Sequence, residues 1–412
     1  MIPQFRLSLV VVATLIGLVT VVAKSLTPRG TEPAEGRPAY DERFFSPQSG
    51  LGVKLPVDSA LSGVVDDTQL ESVLVRVTPC WDNYKVAFNL HALRLWGTKV
   101  AFSDIVPTYA HSRVYSGPER MSMLLNHSEF ERHIPGARPL LRASRHGVHS
   151  LNHVDAGSFV GSTVHEDALL AACADAGLPL STSVVTVEGE FTLADVLSDS
   201  VARFSLTQEL EWTTLADSSY LAPAKCEWTN KFGDTYSFDD VVGELLDRTS
   251  AGGACHGAHV PFALASVYAC NDINDGSVIS PTTNNRIEKY FHEIQRRLAQ
   301  RQAPSGSWDS DWYQSLAMGQ RSPDQVEHDR LIVTGHLLEW VAVVPEEFRP
   351  PRHNIIAAVE FVTDVVTNCS PRKATGFYAP NTHVARALCL MRGHTLADEL
   401  WATVVHRKHY RE

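Results

Sequence analysis

Three segments in the second half of the chain carry its most informative pattern: Gly252-Gly-Ala-Cys-His-Gly-Ala-His259, Gln302-Ala-Pro-Ser-Gly-Ser-Trp308 and Thr334-Gly-His-Leu-Leu-Glu-Trp340. They lie between helical patterns and combine small residues with histidine, carboxylate or tryptophan side chains. Such residues are expected at helix entrances when paired helices close into a ring around a central cavity. The sequence therefore predicts architecture more directly than it predicts chemistry.

The last third of the chain shows the helical pattern most clearly. Apolar residues recur there every three or four positions in four segments, and the connecting loops contain Gly or Pro. Strand signals are sporadic, and the best candidate for a local strand or an extended link covers residues 183–188. The helices are predicted to begin after Pro281, before Leu331, after Pro350-Pro351 and near Asn381, with Asn284-Asn285 and Asn354 as caps. The chain is therefore predicted to be mainly α-helical.

The Gln302-x3-Gly306-x-Trp308 motif resembles the repeat of squalene and hopene cyclases, and similar Gly-x-aromatic turns occur in protein prenyltransferase β subunits. The Gln side chain is expected to bind backbone groups of the next helical hairpin. Gly allows a tight turn, and Trp packs between helix layers. Together with the helical pattern, the motif predicts an α/α-toroid of helical hairpins over residues 69–412.

The chemistry of those cyclases is not carried by this chain. They protonate their substrate with an Asp-x-Asp-Asp cluster, whereas Asp309-Ser-Asp311-Trp312 lacks the third carboxylate. The zinc-ligand pattern of the prenyltransferases has no convincing match either. The resemblance therefore implies a fold and does not imply isoprenoid chemistry.

Two pairs of polar residues have helical spacing: His256 with His259, and His336 with Glu339. Residues three apart on a helix lie on nearly one face, so the two pairs could face each other across a cavity. Three interpretations stay open: four ligands of a divalent metal, cavity lining that acts without a metal, and structural polar packing. No metal ligand is assigned from the sequence. His336 and Glu339 are the predicted acid and base of an enzyme.

A glycan-cleaving site would need two carboxylates about 5 to 9.5 Å apart. Glu339 could pair with Asp309 or with Asp311, and Asp309 is therefore included among the predicted catalytic residues. Nearby tryptophans would suit sugar stacking, although tryptophans at helix joints also form cores. The predicted binding residues are His259, Trp308, Trp340 and Cys255.

The N-terminal segment predicts export. Residues 7–23 form an uncharged apolar run between Arg6 and Lys24, about 25 Å long as a helix. An uncleaved membrane anchor and a cleaved signal peptide both fit this run, so residues 1–24 are assigned to either. Residues 25–68 are rich in Pro, Gly, Ser and charge and are predicted to be a flexible linker. The chain is thus predicted to be membrane-anchored through residues 7–23 and extracytoplasmic, or secreted after cleavage.

The charge balance argues against one class of partner. The formal net charge is -11, with 36 basic and 47 acidic residues. A nucleic-acid-binding surface would need clustered Lys and Arg to displace counterions from phosphates. No nucleic-acid partner is therefore predicted.

Several segments also resemble a family of exported planctomycete proteins, over about residues 75 to 401. In that family the first segment reads closer to Ala-Cys-Gly-Gly-Thr-His, so Cys255, Gly257 and His259 match while His256 and Ala258 differ. Other matches are His91-Ala-Leu-Arg-Leu-Trp-Gly97, Pro139-Leu-Leu, Phe191-Thr-Leu-Ala-Asp195, Glu209-Leu-Glu-Trp212, Gly306 and the whole of Thr334-Gly-His-Leu-Leu-Glu-Trp340. This resemblance implies a periplasmic or envelope location and brings no established catalytic residues.

Two functions remain open at this point. In the first, the central cavity binds an envelope glycan, peptide or lipid without turnover. In the second, the chain is a toroid enzyme of the glycan hydrolase or lyase type, with His336 and Glu339 as acid and base. The sequence makes no prediction of a cofactor.

Overall fold

A computed structural model describes residues 59–79, 85–102, 114–156, 160–222, 227–248, 254–313, 320–398 and 400–401. These residues are mainly α-helical, which confirms the predicted fold class at that level. None of the helices in these ranges is both long enough and apolar enough to cross a membrane. The predicted anchor at residues 7–23 lies outside them.

The described residues form fifteen α-helices and six short strands. The helices are α1 (Asp67–Arg76), α2 (Val86–Trp96), α3 (Gly117–Leu125), α4 (His127–His133), α5 (His153–Ala156), α6 (Ala168–Asp175), α7 (Leu193–Arg203), α8 (Glu211–Tyr220), α9 (Phe238–Asp247), α10 (His259–Ile273), α11 (Pro281–Arg301), α12 (Pro323–Val343), α13 (Arg352–Asn368), α14 (Pro371–Gly376) and α15 (Tyr378–Met391). The strands form three antiparallel hairpins: β1 (Leu141–Ser144) with β2 (Gly147–Ser150), β3 (Ser183–Val185) with β4 (Glu190–Thr192), and β5 (Glu227–Thr229) with β6 (Thr235–Ser237). The segment at residues 183–188, predicted to be a local strand or an extended link, forms strand β3 over Ser183–Val185.

Six helices contact one another in succession. Helix α2 packs on α6, α6 on α8, α8 on α10, α10 on α12, α12 on α15, and α15 packs back on α2. The other long helices each pack against one of these six: α1 on α15, α3 on α2, α7 on α6, α9 and α11 on α10, and α13 on α12. Helix α8 is buried at every position, which is typical of a helix surrounded by other elements.

Two of the predicted helix caps are wrong. Helix α11 begins at Pro281, and Ser280 caps it by accepting a hydrogen bond from the Thr283 amide, so Asn284-Asn285 lies within the helix. Helix α13 begins at Arg352 after Pro351, without a side-chain cap. Pro281 occupies the first position of α11, where its fixed φ suits the helix and its missing N–H has no intrahelical partner to lose.

Residues 59–66, predicted as the end of the linker, are part of the packed structure. They include a 3-10 helix, Ser59–Val64. Leu61 and Val65 are buried, and the Arg392 guanidinium donates a hydrogen bond to the Val65 carbonyl. The packed region thus begins by residue 59.

The Gln-Gly-Trp motif works as its sequence predicts. Gln302, at the end of α11, donates from Nε2 to the carbonyls of Gly306 (2.8 Å) and Asn354 (2.7 Å), and its Oε1 accepts from Asn354 Nδ2 at 2.6 Å. Trp308 is fully buried and donates from Nε1 to the Leu298 carbonyl at 2.9 Å. Asn354, predicted as a cap, is therefore the partner through which α13 is tied to α11.

The turn at Gly306 generates a stability prediction. Its φ is +90°, and a Cβ there would overlap the backbone carbonyl of Ala357. We expect Gly306→Ala to lower the free energy of unfolding by about 3 kcal/mol or more, because overpacking adds to backbone strain. Urea denaturation would measure this.

Gly276→Ala is the matched control. Gly276 has φ +74°, and a Cβ added there would have no neighbour within 4 Å. Gly276→Ala should therefore lower the free energy of unfolding by about 1 kcal/mol, which is the backbone strain alone. Equal losses in the two variants would contradict the steric explanation.

Candidate functional site

Three buried histidines meet where α10, α12 and α15 face each other. They are His259, His336 and His383, and each is no more than 5% exposed. Nε2 of His259 lies 2.9 Å from Nε2 of His336, and the ring centroids of His336 and His383 are 3.7 Å apart. A ring nitrogen from each histidine lies within 4.8 Å of those from the other two. We refer to these three residues as the histidine cluster.

The Glu339 carboxylate orients two of these rings. Its Oε2 lies 3.2 Å from Nδ1 of His336, one turn earlier on α12, and 3.1 Å from Nδ1 of His383. A carboxylate only accepts hydrogen bonds, so each Nδ1 carries the proton of its neutral ring. Both Nε2 atoms are therefore left as lone pairs that face away from Glu339.

The third ring is oriented by an indole. Trp212 Nε1, on α8, donates to Nδ1 of His259 at 2.9 Å. Because an indole nitrogen can only donate, Nδ1 of His259 is unprotonated and Nε2 carries the ring proton. That proton is shared with the lone pair of His336 Nε2, so a continuous chain of hydrogen bonds runs from Trp212 to Glu339.

A row of buried charges lies beside the cluster. Arg386 bridges Oε1 of Glu339 (3.1 Å) and Oδ2 of Asp175 (3.1 Å), and Arg94 donates to the same Asp175 oxygen at 2.6 Å. The guanidinium of Arg94 also lies over the Trp212 ring, 4.5 Å from its centroid. Two carboxylates are thus balanced by two guanidinium groups, as buried charges require.

Burial sets the protonation of the site. It lowers the pKa of His336 and holds those of His259 and His383 well below their ordinary value, and it lowers that of nearby His91 to about 3. Burial alone would raise the pKa of Glu339. The interactions with His383 and Arg386 outweigh it and hold that pKa well below its usual range. At neutral pH the rings are therefore neutral and Glu339 is ionised.

A more exposed group lies next to the cluster. His165 stacks on the Trp212 ring at 5.4 Å, and its Nδ1 is 2.7 Å from Glu209 Oε1. Cys255 is close to His165 and His259, and the three offer ligand atoms within 4.8 Å of one another. Burial raises the pKa of the Cys255 thiol to about 12, so without a metal it is not a thiolate nucleophile at neutral pH.

The turn into α10 has unusual backbone geometry. Cys255 and His256 both adopt positive φ, +48° and +59°, which side-chain-bearing residues rarely do. The His256 carbonyl accepts a hydrogen bond from Trp312 Nε1 at 3.0 Å. The His256 side chain lies toward Asp329, with Nε2 3.4 Å from Oδ1. His256 is therefore not part of the histidine cluster, and the four-ligand arrangement with His256 and Glu339 is not observed.

Three of the sequence-predicted site residues come together, and three others lie in different environments. His259, His336 and Glu339 are in direct contact in the cluster, and Cys255 is beside them. Trp308 and Trp340 are fully buried, Trp308 against the end of α11 and Trp340 against the Phe291 ring, so neither presents a stacking face. Asp309 pairs with arginines near the start of α12 and has no contact with Glu339.

Sequence reasoning missed several members of the site: His383, Arg386, Trp212, Arg94, Asp175 and His165. One signal could have found some of them. His91-Ala-Leu-Arg94 and His383-Val-Ala-Arg386 share the three-residue spacing of His336 and Glu339, each within an apolar helical pattern. A polar pair repeated on three apolar helices indicates that these helices face a common polar site.

Comparison with known proteins adds no further identification. The chain matches no protein-family model, no curated protein and no solved structure. The interpretation of the site therefore depends on its own geometry.

Because the charges beside the histidine cluster are buried, we expect that removing one of the two arginines will strongly destabilise the fold. Arg386→Met leaves Glu339 and Asp175 without their shared guanidinium, and we expect the free energy of unfolding to fall by about 3 to 5 kcal/mol. Arg286→Met is the control, because Arg286 pairs with exposed Asp247 and the expected loss is below about 1 kcal/mol. Chemical denaturation would compare them. An equal loss of unfolding free energy in the two variants would show that the buried ion pairs contribute no more to stability than the surface pair.

Asp309 provides a prediction for acid stability. Partial burial would raise its pKa, but hydrogen bonds from Arg321, Ser310 and Arg330 lower it to about 2. A lowered folded-state pKa stabilises the fold above the ordinary value of about 4. This contribution is lost as the pH falls toward 2. We expect Asp309→Asn to be less stable than the wild type at pH 6, with the difference shrinking below pH 4 in thermal melts. A pH-independent difference would contradict the ion-pair account.

Proposed function

We propose that the described residues form an α/α-toroid that binds a polar ligand, a glycan or a peptide, in a central cavity above the histidine cluster. The succession of contacts among α2, α6, α8, α10, α12 and α15 supports the toroid, because the last helix of the series packs on the first. The helices that pack against these six would form the outer layer. This arrangement agrees with the ring of hairpins that the sequence predicts.

One observation carries the functional part of the proposal. Each of the six helices contributes a polar side chain to a single connected network: Arg94 from α2, Asp175 from α6, Trp212 from α8, His259 from α10, His336 and Glu339 from α12, and His383 and Arg386 from α15. A core does not need such a network for stability, since apolar residues of similar volume often serve as well or better. Polar groups with shifted pKa values gathered at one point are instead typical of binding and catalytic sites.

The character of the network favours a polar ligand over a lipid tail. Imidazole nitrogens, a carboxylate and guanidinium groups offer hydrogen bonds that an alkyl chain cannot return, and leaving them unmet is costly. His165 and Glu209, next to the network, are 15% and 26% exposed, so a ligand that enters from solvent would reach them before the buried groups. In this proposal the membrane anchor at residues 7–23, if retained, holds an extracytoplasmic binding domain at the membrane.

An enzymatic role is the second candidate, and one feature favours it. Glu339 holds the Nδ1 proton of His336, so the Nε2 lone pair points away from the carboxylate and accepts the ring N–H of His259, which a substrate proton would have to replace. This is the orientation by which a carboxylate prepares a histidine to act as a general base. Asp309 would take no part, since Arg321 and Arg330 hold both of its oxygens. His336 would then act as the general base, Glu339 would orient it, and no pair of carboxylates would take part.

A thermal-shift comparison tests the binding proposal. Wild-type protein and His336→Gln are melted with soluble murein fragments, with a mixture of short peptides, and with phosphatidylglycerol vesicles. A polar ligand at about a hundredfold excess over its Kd should raise the wild-type Tm by a few degrees. His336→Gln should show a smaller rise or none.

His292→Gln is the matched control, because His292 lies on α11 against Phe348, away from the cluster. It should respond as the wild type does. A rise with vesicles alone, an equal rise in His336→Gln, or no rise with any probe would contradict the proposal.

A further inference from the structure

The histidine cluster has features that hydrogen bonding within the protein does not explain. Nε2 of His383 is buried and has no hydrogen-bond partner among the described residues. Glu339 fixes the proton of this ring on Nδ1, so the unpartnered atom is a lone pair. The centroid of this ring lies 3.7 Å from that of His336, whose Nε2 lone pair accepts the ring N–H of His259. A buried acceptor that lacks a donor is costly, so an electrophile beside Nε2 of His383 would stabilise the cluster.

We propose that His259, His336 and His383 bind a divalent transition metal ion of the Zn²⁺ type through their Nε2 atoms. The inference deepens the proposed function, on which it rests, because the ion would lie at the floor of the same cavity. Neutral imidazole is the common protein ligand of Zn²⁺, Co²⁺ and related ions, whereas Mg²⁺ and Ca²⁺ prefer oxygen. The donor set therefore selects the class of metal.

The distances fit such an ion. Zinc–nitrogen bonds are about 2.0 to 2.1 Å, so two nitrogens bound at right angles are about 2.9 Å apart and two at the tetrahedral angle about 3.4 Å. The observed separation between Nε2 of His259 and Nε2 of His336 is 2.9 Å. One ring nitrogen from each of the three histidines lies within 4.8 Å of those from the other two.

The residues behind the histidines form the outer shell that a metal site needs. Histidine ligands usually donate their second N–H to a carboxylate, which fixes the tautomer and increases the basicity of the ligand. Glu339 does this for His336 and His383 together, and Arg386 holds Glu339 from the other side. Three protein nitrogens would leave a position for water or for an oxygen atom of the ligand.

The third ligand has to change its tautomer. His259 now carries its proton on Nε2, because Nδ1 accepts the N–H of Trp212. To bind a metal through Nε2, the neutral ring must carry the proton on Nδ1 instead. Nδ1–H would then face the indole N–H, and the hydrogen bond with Trp212 would be lost. Trp212 thus opposes metal binding, and its environment should change when the ion binds.

A second, overlapping group of possible ligands consists of His165, Cys255 and His259. Nδ1 of His165 lies 2.7 Å from Oε1 of Glu209. Nδ1 of His259 already accepts the hydrogen bond from Trp212. No carboxylate is seen to orient Cys255 or His259 in that group among the described residues. The cluster at His336 and His383 is therefore the better metal site.

The test is a titration of chelator-treated full-length protein with Co²⁺, followed by its visible absorption, with no organic ligand present. We expect one ion per chain. Glu339→Gln should raise the Kd about 10- to 100-fold, as for other outer-shell residues, and His336→Gln or His383→Gln should raise it further. His292→Gln and Cys255→Ser should leave it unchanged. Circular dichroism and the Tm without metal establish that each variant is folded.

Trp212→Phe provides a test in the opposite direction. Phe fills most of the indole volume but has no N–H, so this variant should bind Co²⁺ as tightly as the wild type or more tightly. Zn²⁺ should change the tryptophan fluorescence of the wild type, and the change should be smaller in Trp212→Phe. Weaker binding by Trp212→Phe would contradict the tautomer change.

Three results would overturn the metal site: less than one ion per chain, an unchanged Kd in the His336→Gln/His383→Gln double variant, or loss of binding in Cys255→Ser with retention in His383→Gln. The titration is independent of the cavity ligand. Stoichiometric Co²⁺ binding without any thermal shift from glycans or peptides would reject the proposed function alone. A thermal shift without Co²⁺ binding would reject the metal site alone.

Discussion

The ionised carboxylate of Glu339 is the group on which the arrangement of the interior depends. A charge that is about 1% exposed must be surrounded by donors, and here two imidazole N–H groups and one guanidinium supply them. The orientation of each donor is then restricted. Arg386 must also neutralise Asp175, and each histidine, which faces Glu339 with Nδ1, must direct its Nε2 away from the carboxylate. Helices α12 and α15 are thereby held in one register, and the orientation of the polar site follows from that register.

The features that the sequence predicted are those that short segments determine. The Gln302, Gly306 and Trp308 motif specifies a turn within a few residues, and its hydrogen bonds to Gly306 and Leu298 are local. The three-residue spacing of His336 and Glu339 places them on one helical face, and they are in contact. Helix existence was predictable for the same reason, since the apolar period is repeated within each helix.

What the sequence did not reveal depends on contacts between distant segments. His383 and Arg386 join the site only because α15 packs on both α12 and α2, and no local pattern states that pairing. Asp309, adjacent to the motif, was expected near Glu339 but is held by arginines on the following loop and helix. Trp308 and Trp340 were predicted to bind a ligand for a similar reason. The sequence around a tryptophan at a helix joint does not distinguish one that packs in the core from one that lines a cavity.

The order of the site residues along the chain has a consequence for folding. Arg94 comes from the second helix of the described region and Arg386 from the last, yet both hold the same Asp175 oxygen. The chain must therefore be synthesised and packed from α2 through α15 before this carboxylate acquires both of its cations. Until α15 is in place, Asp175 and Glu339 lack the guanidinium that they share, so a chain ending before α15 could keep most of its helices but would leave its interior charges uncompensated. The buried carboxylates are therefore fully neutralised only after α15, the last helix of the described residues, has packed.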